Sequence, residues 1–235
     1  MQGNDQQAYD RGITIFSPDG RLYQVEYARE AVEQGAPAVG VRADDGVVLA
    51  AHAPRRSSLI EDRSIEKLHS IDDHVTVASA GHAADARRLV DIIRRAAQGE
   101  RLRYGEPATV ETLATTVADH IQEHTQTGGA RPYGTALLVA GYDETPQLFE
   151  VDPSGAIDEW RADAVGRGTS DLVAHLEEHH EPAMTTDDAL GLAIEALATT
   201  VDDLTADDID AGIIGQDGYT AVPTDRIGTW FDESA

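Results

Sequence analysis

Ala38-Val39-Gly40-Val41, Asp44-Asp45-Gly46 and Val47-Val48-Leu49-Ala50-Ala51 decide the fold of this chain. Two short apolar runs flank a hairpin-like turn, and this predicts a pair of antiparallel strands. Runs of the same kind return at Leu68–Ile71 and Val75–Ser79. Two long amphipathic helices follow. Ala83–Gln98 sets Ala83, Ala86, Leu89, Val90, Ile93 and Ala97 on one face, with Arg87, Arg88, Arg94 and Arg95 largely elsewhere. Thr109–Thr125 repeats that spacing with Val110, Leu113, Val117, Ile121 and His124. Strands resume at Thr135–Ala140, Gln147–Val151, Ile157–Ala162 and Ala164–Gly166. A second helix pair covers about Ser170–His180 and Thr186–Val201, with Thr185 and Asp188 as a variant capping box for the latter. Gly212–Gly215 and Tyr219–Val222 read as closing strands.

Strand group, helix pair, strand group, helix pair: each strand group carries an apolar face that needs covering. Two antiparallel sheets packed together, with a helix pair on each outer face, bury all of them. The expected fold is therefore α+β, a four-layer αββα sandwich, over residues 36–235. Residues 1–35 precede it as an extension. Met1–Gly12 is polar and without period, Ser17-Pro18-Asp19-Gly20 is a turn, and Arg21–Gln34 has helical spacing stopped by Gly35.

Composition narrows the function classes. The chain has 235 residues, 43 acidic against 18 basic, and a net charge of −25. That balance argues against binding nucleic acid, which rewards Lys and Arg on phosphates, and against an anionic membrane surface. With no Cys there is no disulfide, thiolate zinc site or cysteine nucleophile. No apolar run approaches a membrane span and Met1–Gln7 is too polar for a signal peptide, so a cytoplasmic protein is expected. Only one of the 18 basic residues, Lys67, is Lys; the others are Arg. Strong acidity with almost no Lys suits a salty cytosol, because at about 1 M salt the Debye length falls to about 3 Å and carboxylates repel each other little.

Three motifs invite chemistry. His120-Ile121-Gln122-Glu123-His124 is an inverted zinc-protease string, but Val117 and Ile121 define a buried stripe and no third ligand is evident. Gly166-Arg167-Gly168-Thr169-Ser170 lacks the further residues of a dinucleotide or P-loop fingerprint, and reads as tight-turn glycines followed by an N-cap hydroxyl. The acid-rich stretch Asp202–Asp210 lacks EF-hand spacing and reads as hydrated surface. None of these calls for a metal or cofactor.

Tyr9-Asp10-Arg11 followed by Phe16-Ser17-Pro18-Asp19-Gly20-Arg21-Leu22-Tyr23-Gln24-Val25-Glu26-Tyr27-Ala28 resembles the N-terminal signature of proteasome α-type subunits. The likeness continues through Ser64-Ile65-Glu66-Lys67, Ile71-Asp72-Asp73, Ala80-Gly81, Ala84-Asp85-Ala86-Arg87, Gly128-Gly129-Ala130-Arg131-Pro132-Tyr133-Gly134 and Asp152-Pro153-Ser154-Gly155. The resemblance implies an αββα sandwich of the N-terminal-nucleophile hydrolase type. It also implies a comparison with the proteolytic β-type subunits, whose nucleophile is an N-terminal Thr. That Thr position falls at about Ala36, the supporting Asp position at His52 and the supporting Lys position at Arg63. A non-catalytic subunit is implied, the alternative being a self-sufficient hydrolase, either a divergent threonine protease or the zinc site above.

The implied work is architectural: seven-membered α rings capping β rings, with N-terminal tails closing an axial pore for protein substrates. Tyr9, Asp10, Pro18 and Tyr27 match the family cluster that holds the tails open. Gly128, Gly129, Ala130 and Arg131 match the loop lining the pore constriction, with Thr127 where an aromatic residue is common. Lys67 corresponds to the lysine that meets the C-terminal carboxylate of a hexameric AAA ATPase regulator's tail, and Gly81 to the floor of that pocket. A long, flexible ammonium suits such a point contact.

Overall fold

The computed structural model describes residues 16–17, 20–55, 57, 59–61, 64–127 and 130–234. Helix α1 (Tyr23–Glu33) leads into the hairpin of β1 (Ala38–Arg42) and β2 (Gly46–His52), then β3 (Leu68–Asp72) and β4 (Val75–Gly81). Helices α2 (Ala83–Tyr104) and α3 (Val110–Gln126) are followed by β5 (Thr135–Tyr142), β6 (Pro146–Val151), β7 (Ile157–Glu159) and β8 (Ala162–Val165). Then come α4 (Thr169–His179), α5 (Thr186–Thr200), β9 (Ile209–Gly215), β10 (Gly218–Ala221) and α6 (Thr224–Ser234). Two five-stranded sheets result, in the orders β10-β9-β2-β1-β8 and β3-β4-β5-β6-β7.

Strand periodicity builds the layers. Val39, Val41, Val48 and Ala50 face α4 and α5, while Ala38, Val47, Leu49 and Ala51 face the other sheet. In the second sheet Val75, Val77, Leu137 and Val139 face α2 and α3, while Ala78, Ala80, Leu138, Ala140 and Leu148 face inward. The strands read as nearly continuous apolar runs because both faces are covered, as the order of elements predicts. The central layer is thin in side chain. A Cβ at Gly40 would stand 2.8 Å from Leu148 Cδ1, so the glycine leaves the space Leu148 fills. The expected capping box closes around α5: Thr185 Oγ1 accepts from Asp188 N, and Asp188 Oδ2 accepts from Thr185 N (3.1 Å).

Three boundaries and one added helix differ from expectation, each for a physical reason. Helix α2 runs past Gly99 to Tyr104 and ends at Gly105, whose φ is +79°. Gly99 faces open space, and one helical glycine costs only about 1 kcal/mol relative to Ala. The run expected as one strand over Ile157–Ala162 splits at Trp160-Arg161, where the chain changes sheets. Trp160 N donates to Leu148 O in the second sheet, and Arg161 O accepts from Arg42 N in the first. Strand β9 begins at Ile209 rather than Gly212 because it pairs with β2 along its whole length. Helix α6 was not expected; Ile227 is fully buried, and Trp230 and Phe231 pack against the same cluster at i+3 and i+4.

Candidate functional site

The strand registers bring the sequence candidates to one end of the sandwich. Ala38 pairs with Ala51, His52 with Ile209, Leu68 with Ala78 and Gly81 with Thr135, so the start of β1, the end of β2, the start of β3 and the end of β4 share an edge. Helix α1 lies across it. Val32 enters the central core, Gly35 O accepts from Arg167 N (2.9 Å), and a Cβ at Gly35 would stand 2.3 Å from Gly81 N. The chain runs unbroken from this helix through Ala36 into β1, so Ala36 offers neither a hydroxyl nor a free amine. His52 is half-buried. Burial pulls its imidazole below the usual range, Asp208 opposes this, and Lys67 and Arg167 add to it. Arg63 lies outside the described residues. Thr135 Oγ1, the hydroxyl that stands opposite Gly81, is buried and donates to Ala80 O (2.8 Å).

Lys67 sits just before β3, half-buried, on a backbone fixed from the other sheet. Asp210 Oδ2 on β9 accepts from Lys67 N (3.4 Å) and Leu68 N (3.3 Å). Burial raises the Asp210 carboxyl, and those two N–H groups partly offset the rise. The reading of Asp202–Asp210 as hydrated surface thus fails at Asp210, which is a structural tie. Gly81, at the end of the adjacent strand, has φ +103°, and a Cβ there would meet Gly134 O at 2.3 Å. The chain's own packing therefore demands glycine at 81.

Of the expected gating cluster, Tyr9, Asp10 and Pro18 lie outside the described residues. Tyr27 is 45% exposed on α1. Ahead of this helix Gly20 N donates to Ser17 O (2.8 Å) and Ser17 N donates to Arg21 O (2.9 Å). Of the expected constriction loop, Gly128 and Gly129 also lie outside the described residues. Ala130 N donates to Thr127 O, and Thr127 Oγ1 donates to Glu123 O, so Thr127 finishes α3. Arg131 makes a two-pronged bond to Asp85, Nη1 to Oδ2 and Nη2 to Oδ1, both 2.7 Å, and Asp85 Oδ2 also accepts from Gly134 N (2.9 Å).

That tie is not legible in the sequence, because only the fold brings residues 46 positions apart together. Burial raises the Asp85 carboxyl, but the Arg131 and Gly134 bonds outweigh it and hold it below the ordinary range. Asp85→Ala should destabilise the chain by about 2 kcal/mol, since Gly134 N–H loses its acceptor. Because the folded value is depressed, this contribution is present above about pH 4 and is lost as pH falls through the folded value. Thermal melts in molar KCl between pH 7 and 3 should show an acid-sensitive component in the wild type that Asp85→Ala lacks.

The tempting motifs resolve into packing. His120 and His124 pack against Tyr133 in tilted ring contacts with centroids 5.9 and 4.5 Å apart, and His120 Nε2 lies 3.1 Å from Tyr133 Oη. Among the described residues no group of three or more His, Asp or Glu side chains is placed to hold a metal ion. At the glycine turn, the N-cap of α4 is Gly168 itself and makes no side-chain cap; Thr169 Oγ1 instead donates back to Gly166 O (2.7 Å). The expected N-cap hydroxyl is thus a turn closure.

Two antiparallel sheets face to face between helix pairs, with the mouth at the β1 end, define a sandwich of the N-terminal-nucleophile hydrolase type. The chain belongs to the proteasome subunit family, whose model matches residues 32–214, and the N-terminal signature of the A-type proteasome subunits matches residues 9–31. It is 56% identical over 239 residues to "Proteasome subunit alpha" of Haloquadratum walsbyi, covering 100% of this chain and 96% of that protein. It is 59% identical to "Proteasome subunit alpha 2" of Haloarcula marismortui, over 91% of this chain and 88% of that one. It is 58% identical to "Proteasome subunit alpha 1" of Haloferax volcanii, over 99% and 94%. These relatives come from halophilic archaea, in keeping with the acidic, lysine-poor composition.

Proposed function

We propose that this chain is a non-catalytic outer-ring subunit of a cytoplasmic proteasome core particle. It closes seven-membered rings with other α-type subunits, stacks on rings of β-type subunits and admits protein substrates through a gated axial pore. Residues 1–35 form the gating tail and its helix, and residues 36–235 form the sandwich. Tyr9, Asp10, Pro18 and Tyr27 hold the tail open, and Gly128 to Arg131 line the constriction. Lys67 and Gly81 receive the C-terminal tails of a hexameric AAA ATPase regulator.

The observation that carries this reading is the mouth of the sandwich. Its nucleophile position is an alanine inside a continuous chain, and α1 crosses the opening where a peptide would need to enter. Peptidase activity of the isolated chain at about 25 kDa in molar salt would overturn it in favour of a self-sufficient hydrolase.

Docking is tested on particles assembled with β-type subunits. Lys67→Ala should weaken regulator binding about tenfold or more, the effect of losing one charged hydrogen bond to a terminal carboxylate. ATP-dependent protein degradation should fall with it, while basal peptide hydrolysis stays unchanged. Equal stimulation of variant and wild type refutes the docking role.

A further inference from the structure

At the end of the sandwich that α1 crosses, this helix is tied to the turn after β6. Arg29 donates through Nε (2.9 Å) and Nη2 (2.5 Å) to Asp152 Oδ2, and Asp152 Oδ1 accepts from Ser154 N (2.8 Å). Between helix and strands lies a cavity of about 160 Å³, lined in part by Arg29, Val32, Glu33, Glu150 and Asp152. Half-buried Glu150 stands on an inward strand face and lines this cavity, and Asp163 stands on the inward face of β8, next to the lining residue Ala164. Glu150 lies two residues beyond the core residue Leu148 on β6, and Asp163 lies on β8 between Ala162 and Ala164, both of which face the helices. Asp163 is 4% exposed, and its Oδ2 is buried with no hydrogen-bond partner.

The surroundings offer these acids little compensation. Leu138 stands opposite Glu150 on β5 and Gly40 opposite Asp163 on β1, neither charged. Asp158 on β7 pairs with Glu150, Asp152 follows the last residue of β6, and α1 contributes Glu33 and Arg29. Arg29 is the cation whose field reaches Glu150, and it is already bonded to Asp152. An orphaned carboxylate oxygen out of water is far more costly charged than as the neutral acid.

We propose that Glu150 and Asp163 form a proton-holding pair beneath α1, and that loss of its proton loosens this helix from the sandwich edge. Burial first, then Asp163, Asp152 and Asp158, push Glu150 up to about 7. Burial pushes Asp163 up to about 6, against the pull of Ala164 N–H. When the acid O–H breaks, the proton passes to solvent and a second negative charge stays in the gap. That charge competes with Asp152 for Arg29 and draws water into the cavity, and both changes weaken the contact of α1. The folded chain holds more protons than the unfolded one between about pH 4 and 7, so this pair's contribution to stability declines as pH rises through that window.

The proposal rests on the function above only for its consequence at the pore, since α1 continues the tail. The experiment is hydrogen exchange of α1 amides in the full chain, in molar KCl from pH 5.5 to 8.5, corrected for the intrinsic rate. Wild-type protection should fall by about tenfold, the effect of one pH unit on one titrating group. Glu150→Gln and, as a second variant, Asp163→Asn should flatten that fall. An identical fall in the wild type and both variants overturns the proposal. Gating is read separately: a tail deletion that leaves peptide entry into the assembled particle unchanged would sink that reading without bearing on the Glu150–Asp163 pair.

Discussion

Gly81→Ala should destabilise this chain by about 3 kcal/mol or more, enough to cost much of an ordinary domain's stability. Two causes add. The backbone holds φ +103°, which an L side chain rarely adopts, and the new Cβ would meet Gly134 O at 2.3 Å. That carbonyl has little freedom to retreat, because it accepts from His82 N (2.8 Å) while Gly134 N is held by Asp85. Urea melts in molar KCl would measure the loss, and a variant as stable as the wild type would refute the packing argument. A Gly81 variant that fails to bind a regulator therefore reports folding before docking. Lys67→Ala escapes this problem, since Lys67 meets Asp210 through its backbone N–H, which alanine keeps.

Leu148→Ala is expected to cost about 2–5 kcal/mol. Leu148 is fully buried between the sheets, seated on Gly40, beside Leu49 and opposite Ala140, whose methyl has no reach to refill the space. The pair supplies a sharper check than the single variant. Gly40→Ala should destabilise the wild type, where the added methyl presses on Leu148, and should be neutral or stabilising in the Leu148→Ala background, where it fills part of the hole. Additive effects in that double-mutant cycle would contradict the close approach at Gly40.

The sandwich was legible because its strands obey a period of two against covered faces and its helices a period near 3.6. Val39 and Val41 against Ala38 and Gly40 already divide the outer core from the inner one. What escaped the sequence depended on distant partners. The break at Trp160-Arg161 is set by Leu148 on one sheet and Arg42 on the other, and no local residue announces it. Asp210 sits in a run of acids that looks uniformly wet, and only β3 makes it a tie. Gly81 was assigned to an incoming tail, yet its conformation and Gly134 suffice to require glycine there. Helix α6 could have been found, since Pro223 followed by Ile227, Trp230 and Phe231 carries a helix start and an apolar stripe.

The Asp210 tie also has a mechanical consequence. The carboxylate belongs to the strand between β2 and β10 in one sheet, while the two N–H groups it holds belong to the edge of the other. A force applied at Lys67 is therefore delivered to both sheets at once, not to an edge strand that could peel away. Six of the fourteen buried residues in the central cluster are alanines, which offer little side chain to interlock the sheets against shear. At this end of the molecule one half-buried acid makes the two halves move together.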